Sequence, residues 1–286
     1  MFGLCENCKL FMLFNKTFAF FTSRVMLFTR RKMKYYQDFA KFPAFTLNDA
    51  MQVMDGGAAN APQILNAMVK KGSVRRIRQN LYTCTDFVNG GDVATRFDIA
   101  SKITPSSFVA YHSAFEFYGF YNQVFSEVQV CSQSRFTGFD DKGYSYRYFA
   151  SDTLSQVDTV RGVKVTSIER TIVDSINMLG KVMDTEELLK CIELIHIVNE
   201  QKIKEMLLIY NKDILFRKVG YILSCFTEEF RLSDGFFEFC KANSDPSHIG
   251  YLCSNETRKL EFVNQWGLYA FKNLKSLTDK GGDADV

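Results

Sequence analysis

The feature that most constrains the fold is a close succession of helix and turn signals between residues 46 and 85. Thr46 and Asp49 have the spacing of a capping box, in which a hydroxyl and a carboxylate close the first turn of a helix. This pattern predicts a short helix that begins at Leu47. We expect it to end near Gly56-Gly57, because glycine adopts positive φ at little cost.

A second helix is predicted after a tight turn. Asn60 is placed to cap it, and Pro62 fits its first turn, where a missing N–H does no harm. Gly72 predicts its end. The apolar residues with the spacing of a buried stripe are Ile64, Leu65, Met68 and Val69.

A β-hairpin is predicted next. Residues 74–78 and 81–85 supply apolar strand positions, and Gln79-Asn80 supplies the turn between them. Helix, tight turn, helix and hairpin is the layout of a winged helix-turn-helix, which binds double-stranded DNA. We therefore predict a winged helix-turn-helix domain over residues 33–92.

Positive charge is concentrated in the same segment. The 286-residue chain has a net charge of only +3, yet five cations lie within nine residues that contain no acid. These cations are Lys70, Lys71, Arg75, Arg76 and Arg78. At the end of a recognition helix and along a wing, they would neutralise DNA phosphates. The alternative is a solvated basic face, but the coincidence of charge and predicted architecture favours DNA binding.

Base contacts would come from the outward side of the second helix. Asn and Gln can pair with adenine, and Ala can contact the methyl group of thymine. The residues predicted to face the major groove are Asn60, Ala61, Gln63, Asn66 and Ala67. Asn80, in the hairpin turn, completes the predicted DNA-binding set.

Residues 93–276 predict a separate and larger α+β domain. Helices are predicted at 95–103, from Pro105 through Phe108 to Gly119, from a capping box at Thr166 and Glu169 to Gly180, and at 184–199, 201–211 and 213–226. Strands are predicted at 126–133, 144–151 and 160–167, with closing strands or edges near 251–255 and 265–271. The predicted fold class is therefore α+β.

The two ends of the chain are predicted to lie outside the fold. Residues 1–32 contain apolar runs, but polar residues interrupt them before they reach the length of a bilayer span. A weak membrane-surface helix is the alternative interpretation. Residues 277–286 predict a frayed polar tail. We therefore expect a cytoplasmic protein with no membrane partner.

Cysteine usage supports the same compartment. Eight scattered cysteines in a chain without a clear signal peptide are typical of reduced thiols in the cytoplasm. Cys5 and Cys8 form a CxxC pair, but tetrahedral zinc needs four ligands, and no second CxxC or nearby His pair accompanies them. We therefore expect no metal and no cofactor.

The sequence contains no strong catalytic motif. His112 and Ser113 are neighbours on a helix, so they point about 100° apart and cannot form a dyad. Arg170 and Asp174 could meet a partner as a charged surface, although a structural i,i+4 pair is the simpler interpretation. The sequence lacks a Walker loop, a dinucleotide fingerprint and the spaced acids of a nuclease or nucleotidyltransferase. We predict no catalytic residues and no enzymatic activity.

Four segments, by their order and spacing, resemble the AbiEi-type antitoxins, the repressor half of type IV toxin–antitoxin (abortive infection) systems. They are VRRIRQNLYTC, ITPSSFVAYHSAFEFYGF, VTSIERTIVDSI and KDILFRKVGYIL, and the resemblance runs from about residue 35 to residue 270. It departs at the hairpin turn, where family members often have RRGLY and this chain has RQNLY. Asn80 tolerates left-handed geometry nearly as well as glycine, so the hairpin is still expected.

The resemblance implies a transcriptional autorepressor that binds repeats in its own promoter. It also implies that the C-terminal domain counteracts a nucleotidyltransferase-like toxin, without forming a stable complex with it. Two other functions stay open. One is a regulator whose second domain senses a small ligand, and the other is a nuclease that the winged helix targets to DNA.

Overall fold

The computed structural model describes residues 35–54, 58–245, 247–253 and 260–278. The predictions for the N-terminal extension, for Cys5 and Cys8, for Gly56-Gly57 and for residues 279–286 lie outside the described residues. The predicted tail begins too early, because Leu277 ends a 3-10 helix and is buried.

The chain divides into two compact units, Met1–Lys102 and Ile103–Val286. The sequence places this boundary between residues 92 and 93. The helix at Arg96–Lys102 belongs to the first unit, where Lys102 Nζ lies 3.7 Å from a carboxylate oxygen of Asp49.

The first unit combines helices with one three-stranded sheet. In chain order its described elements are α1 (residues 35–39), β1 (Ala44–Phe45), α2 (Leu47–Val53), α3 (Ala61–Lys70), β2 (Val74–Arg78), β3 (Leu81–Cys84) and α4 (Arg96–Lys102). β3 lies between β1 and β2 and is antiparallel to both. The two predicted helices and the predicted hairpin are therefore confirmed.

Local signals explain most of these boundaries. The backbone N–H of Asp49 donates to Thr46 Oγ1 at 3.2 Å, and the N–H of Thr46 donates to Asp49 Oδ2 at 2.8 Å, so the predicted capping box is confirmed. Asn60 precedes α3, but its side chain makes no capping hydrogen bond, contrary to the prediction. Leu65 and Met68 are buried in the core of this unit, and Ile64 and Val69 are half-buried beside it.

The second unit is built on a mixed six-stranded sheet. Its strands are β4 (Phe108–Val109), β5 (Glu127–Ser132), β6 (Phe139–Asp141), β7 (Tyr144–Ala150), β8 (Val157–Val160) and β9 (Val163–Thr166). The strand order is β6-β7-β5-β4-β9-β8. β4 is antiparallel to β5 and parallel to β9, and β5 is parallel to β7.

Helices and a small sheet complete this unit. The helices are α5 (Tyr111–Tyr118), α6 (Ile168–Asn177), α7 (Thr185–Glu193), α8 (Glu200–Tyr210), α9 (Asp213–Ser224), α10 (Thr227–Phe230) and α11 (Asp234–Ala242). The small sheet pairs β10 (Gly250–Tyr251) and β11 (Glu261–Val263) with a central β12 (Leu268–Ala270). The architecture is mixed α+β, as predicted.

The helices of the second unit share one apolar core. Apolar side chains of α6, α8 and α9 are buried in it, and Trp266 packs against α9. A Cβ atom at Gly220 would overlap the Trp266 ring, so this close approach requires glycine.

Several predicted boundaries differ from the structure. Phe108 lies in β4 rather than in a helix, because it pairs with Cys131 of β5. The single strand predicted at 160–167 is the end of a hairpin, in which β8 and β9 turn at Arg161-Gly162. α7 ends at Glu193 rather than at residue 199, and α11 was not predicted.

The start of α6 also differs from the prediction. Its N-cap is Ser167, whose Oγ accepts from the N–H of Arg170 at 3.2 Å. Glu169 is not the capping carboxylate, since it accepts instead from the backbone N–H of Asn199 at 2.9 Å.

Across the described ranges, no helix has both the length and the apolarity needed to cross a bilayer.

Candidate functional site

The β2–β3 hairpin has a turn geometry that depends on Asn80. Its φ is 61°, in the left-handed region that few residues other than glycine adopt readily. Its side-chain oxygen also accepts a hydrogen bond from the backbone N–H of Leu47 at 3.0 Å. Asn80 therefore shapes the turn and ties it to the first turn of α2, while remaining exposed.

Arg75, one of the predicted phosphate contacts, is half-buried and paired with an acid of the chain. Its Nη2 lies 2.6 Å from Asp92 Oδ2, and its Nε donates to Asp92 Oδ1 at 2.9 Å. An isolated antiparallel β-bridge pairs the backbones of Thr85 and Asp92, and it brings Asp92 back beside the hairpin. An acid outside the nine-residue basic run thus compensates the Arg75 guanidinium.

The other cations of the run are arranged around the end of α3 and along β2. Lys70, Lys71 and Arg76 are exposed, and Arg78 is half-buried. Arg76 Nε donates to the backbone oxygen of Arg78 at 3.3 Å, across a bulge in the strand. This exposed set, Lys70, Lys71 and Arg76, is called the basic surface below.

The outer side of α3 is polar. Gln63, Asn66 and Lys70 are exposed, and their spacing of three and four residues places them on one side of the helix. Asn60 is exposed just before the helix, and Ala67 is half-buried. Ala61 is fully buried, so it cannot contact a base as predicted.

Arg170 and Asp174 do not form an exposed partner surface, because both are buried in the second unit. Arg170 Nε donates to Asp174 Oδ2 at 3.1 Å, and the Tyr210 hydroxyl donates to Asp174 Oδ1 at 2.5 Å. The guanidinium also lies 4.9 Å from the centre of the Phe108 ring. Burial raises the pKa of the Asp174 carboxyl above its ordinary value, although Arg170 and Tyr210 oppose this shift. The pair is a structural link between α6, α8 and the sheet.

The second unit contains a cavity of about 390 Å³. It lies beside α5, the start of α7 and the loop that precedes α7. Its lining is rich in polar and charged side chains: His112, Gln123, Glu127, Gln129, Arg147, Lys181, Asp184 and Glu187.

His112 lies between two carboxylates at the wall of this cavity. Its Nδ1 is 3.1 Å from Glu116 Oε1, and its Nε2 is 2.9 Å from Glu187 Oε1. All three side chains are buried. Burial alone would lower the pKa of His112, but Glu116 and Glu187 outweigh it and raise this pKa. Burial likewise would raise the pKa of Glu187, but hydrogen bonds from His112 and Gln123 lower it.

Neighbouring groups hold this arrangement in place. The backbone N–H of His112 donates to Gln129 Oε1 at 3.0 Å, and the backbone N–H of Phe125 donates to Glu116 Oε1 at 2.9 Å. Cys191 Sγ lies 3.6 Å from Glu187 Oε1, one helical turn further along α7. Burial, with the nearby Glu187 carboxylate, raises the pKa of the Cys191 thiol.

The sequence did not predict this site. It correctly excluded a dyad of His112 and Ser113, but the partners of His112 lie four and 75 residues away. Only the i,i+4 spacings of His112 with Glu116 and of Glu187 with Cys191 were visible signals, and neither shows that α5 and α7 meet.

Comparison with known proteins establishes the fold but not the family. No protein-family model matches the chain, and no curated protein matches it significantly. The crystal structure of the RV2827C protein from Mycobacterium tuberculosis aligns with 87% of this chain and 93% of its own, with a TM-score of 0.59 and 10% identity. At this identity, the likeness shows a shared fold only.

Proposed function

We propose that this protein is a cytoplasmic transcriptional autorepressor and the antitoxin of a type IV toxin–antitoxin system. In this proposal the first unit is a winged helix-turn-helix, with α3 as the recognition helix and the β2–β3 hairpin as the wing. The second unit counteracts a nucleotidyltransferase-like toxin without a stable complex. This antitoxin role is supported by the resemblance to AbiEi-type antitoxins, and the protein itself is not an enzyme.

The basic surface is the observation that carries the DNA-binding half. Lys70, Lys71 and Arg76 are exposed on two consecutive elements, and the exposed amides Gln63 and Asn66 lie on the same side of α3 as Lys70. Cations on such elements bind phosphates and give affinity, while amides read base edges. This combination of charge and polar side chains supports binding of a duplex across α3 and the hairpin.

The test is binding of the purified protein to a duplex from its own promoter. Fluorescence anisotropy measures the affinity over a range of salt concentrations. Replacing Lys70, Lys71 and Arg76 together with Ala should weaken binding. It should also reduce the slope of log affinity against log salt, by about one unit for each lost phosphate contact. Unchanged affinity and slope would refute the proposed surface.

Two single variants serve as controls. R135A removes an exposed arginine from the second unit and should leave affinity and salt slope unchanged. R75A should change the slope less than R76A does, because Asp92 already compensates the Arg75 charge. A larger effect of R75A than of R76A would place the DNA on a different face of the hairpin.

The antitoxin half needs a separate test. Co-expression with a nucleotidyltransferase-like toxin from the same operon should restore growth, and the triple variant of the basic surface should restore it equally. Equal rescue is expected because the proposed antitoxin action resides in the second unit. Absence of rescue by the wild-type protein would refute the antitoxin role and leave the DNA-binding role standing.

A ligand-sensing regulator is the second candidate, and the polar cavity near His112 favours it. Such a regulator would change its promoter affinity when a small ligand is added, and it would not rescue cells from a toxin. The anisotropy and growth measurements therefore separate the two functions.

A further inference from the structure

We propose that His112, Glu187 and Cys191 form a binding site for a divalent transition-metal ion of the zinc class. The site lies in the second unit and is independent of the proposed DNA binding. It would be composed of one imidazole nitrogen, one carboxylate oxygen and one thiolate sulfur, which are the three ligand types that zinc uses in proteins. The sequence pointed to no metal site, because these residues come from two helices far apart in the chain.

The distances between the possible ligand atoms suit one ion. The imidazole nitrogen, the carboxylate oxygen and the sulfur lie within 4.8 Å of one another. Tetrahedral zinc separates a nitrogen and an oxygen ligand by about 3.4 Å, and a sulfur and an oxygen ligand by about 3.6 Å. His112 Nε2 and Glu187 Oε1 are 2.9 Å apart, and Cys191 Sγ and Glu187 Oε1 are 3.6 Å apart. These two pairs would shift by about half an ångström or less, and the nitrogen and the sulfur, which lie within 4.8 Å of each other, would have to approach to about 3.6 Å.

The surrounding groups orient the ligands as they do around bound metals. Glu116 Oε1 lies 3.1 Å from His112 Nδ1, an ion-pair distance at which Nδ1 makes no hydrogen bond, and Nε2 is directed at Glu187. A carboxylate on the far nitrogen is the usual partner of a metal-bound histidine. Gln123 Nε2 donates to Glu187 Oε2 at 2.9 Å, so Oε1 is the oxygen directed at the imidazole. Both the imidazole and the carboxylate are thus oriented before any ion binds.

The cavity supplies access and a fourth position. His112 and Glu187 line it, whereas Cys191 is buried behind Glu187 on α7. Zinc keeps a bound water where three protein ligands hold it and the fourth coordination position is open to a cavity. The ion would replace the hydrogen bond between His112 and Glu187 and displace the proton of the Cys191 thiol.

The test uses full-length protein in which Cys5 and Cys8 are both replaced by serine, so that the CxxC pair cannot contribute. After treatment with a chelator, this protein should bind one zinc ion per chain in competition with a chromophoric chelator. Cobalt(II) in place of zinc should give a thiolate-to-cobalt charge-transfer band. Absence of stoichiometric binding, or of this band, would overturn the proposal.

Further variants in the same background assign the ligands. C191S should abolish the charge-transfer band, and C191S and E187Q should each lower zinc affinity at least tenfold. C240S is the matched control, because Cys240 is also a buried helical cysteine of the second unit, and it should change neither property. E116Q should weaken binding about tenfold or more while keeping the band, since Glu116 only positions the imidazole.

The test of the site remains valid even if a ligand variant fails to fold. Circular dichroism of the metal-free proteins identifies any variant that is unfolded. The cobalt spectrum of the C5S/C8S protein is measured with all three proposed ligands intact, so it does not depend on those variants. A charge-transfer band that survives C191S, or that C240S removes, would place the ion elsewhere and overturn the assignment.

Discussion

Asn80 is a single residue on which both the hairpin and its neighbouring helix depend. Its positive φ permits the tight turn between β2 and β3, and its side-chain oxygen accepts from the backbone N–H of Leu47. These two roles can be separated by substitution. Glycine adopts the positive φ at little cost but has no side-chain acceptor, whereas alanine has no acceptor and is also strained at this φ.

We therefore expect N80A to lower the free energy of unfolding by about 1–2 kcal/mol, from left-handed strain and a lost hydrogen bond. N80G should cost less than N80A, since only the hydrogen bond is lost. Urea denaturation of the two variants and the wild type measures both effects. Equal losses would mean that the left-handed backbone carries no cost at this position.

Arg75 and His112 mark the limit of prediction from the sequence at the scale of residues. The sequence placed Arg75 among the DNA-binding cations and His112 outside any catalytic dyad, but the acids that pair with them are Asp92, Glu116 and Glu187. Glu116 is one helical turn from His112, but the other two acids are brought close only by the fold. Their effect could therefore not be deduced from local spacing.

At the scale of elements, α8 and α11 are linked through the side chain of Glu200. Its Oε2 accepts from the backbone N–H of Ser233, the N-cap of α11, and its Oε1 accepts from Ser233 Oγ, both at 3.0 Å. Lys204 Nζ donates to Oε1 at 2.5 Å. Burial alone would raise the pKa of Glu200, but these hydrogen bonds outweigh it and hold the pKa below 4.5.

This lowered pKa predicts a pH-dependent contribution to stability. A carboxylate whose pKa is lower in the folded than in the unfolded state stabilises the fold above its unfolded pKa, and that stabilisation is lost as pH falls through the folded pKa. Wild type should therefore exceed E200Q in free energy of unfolding at neutral pH. The difference should shrink as pH falls below 4.5. Denaturant titrations across this range measure it, and a difference that stays constant would contradict the role of the Glu200 charge.

Elements with local signals were predicted well, and elements that depend on pairing were not. The capping box at Thr46 and the apolar spacing that forms α8 and α9 lie within one helix each, so local sequence is enough to predict them. Phe108 has helical spacing to Tyr111 and Phe115, yet it lies in a strand, because β5 and β9 pair on either side of β4. Tertiary pairing there overrides a local pattern.

At the scale of the whole molecule, each unit has its own apolar core. The core of the first unit is formed by residues between 39 and 84, with partly buried residues such as Val93 around it. The main core of the second unit is formed by residues between 115 and 277. Each unit thus buries apolar side chains within itself, as an independently folding domain does.

We therefore expect a fragment of residues 33–102 to unfold cooperatively by itself, although a unit of this size is only marginally stable. If the basic surface supplies the phosphate contacts, the salt slope of DNA binding per bound chain should be the same for this fragment as for the full chain. Thermal unfolding and anisotropy of the fragment measure these two properties. A folded fragment with a smaller slope would mean that cations of the second unit also touch the duplex.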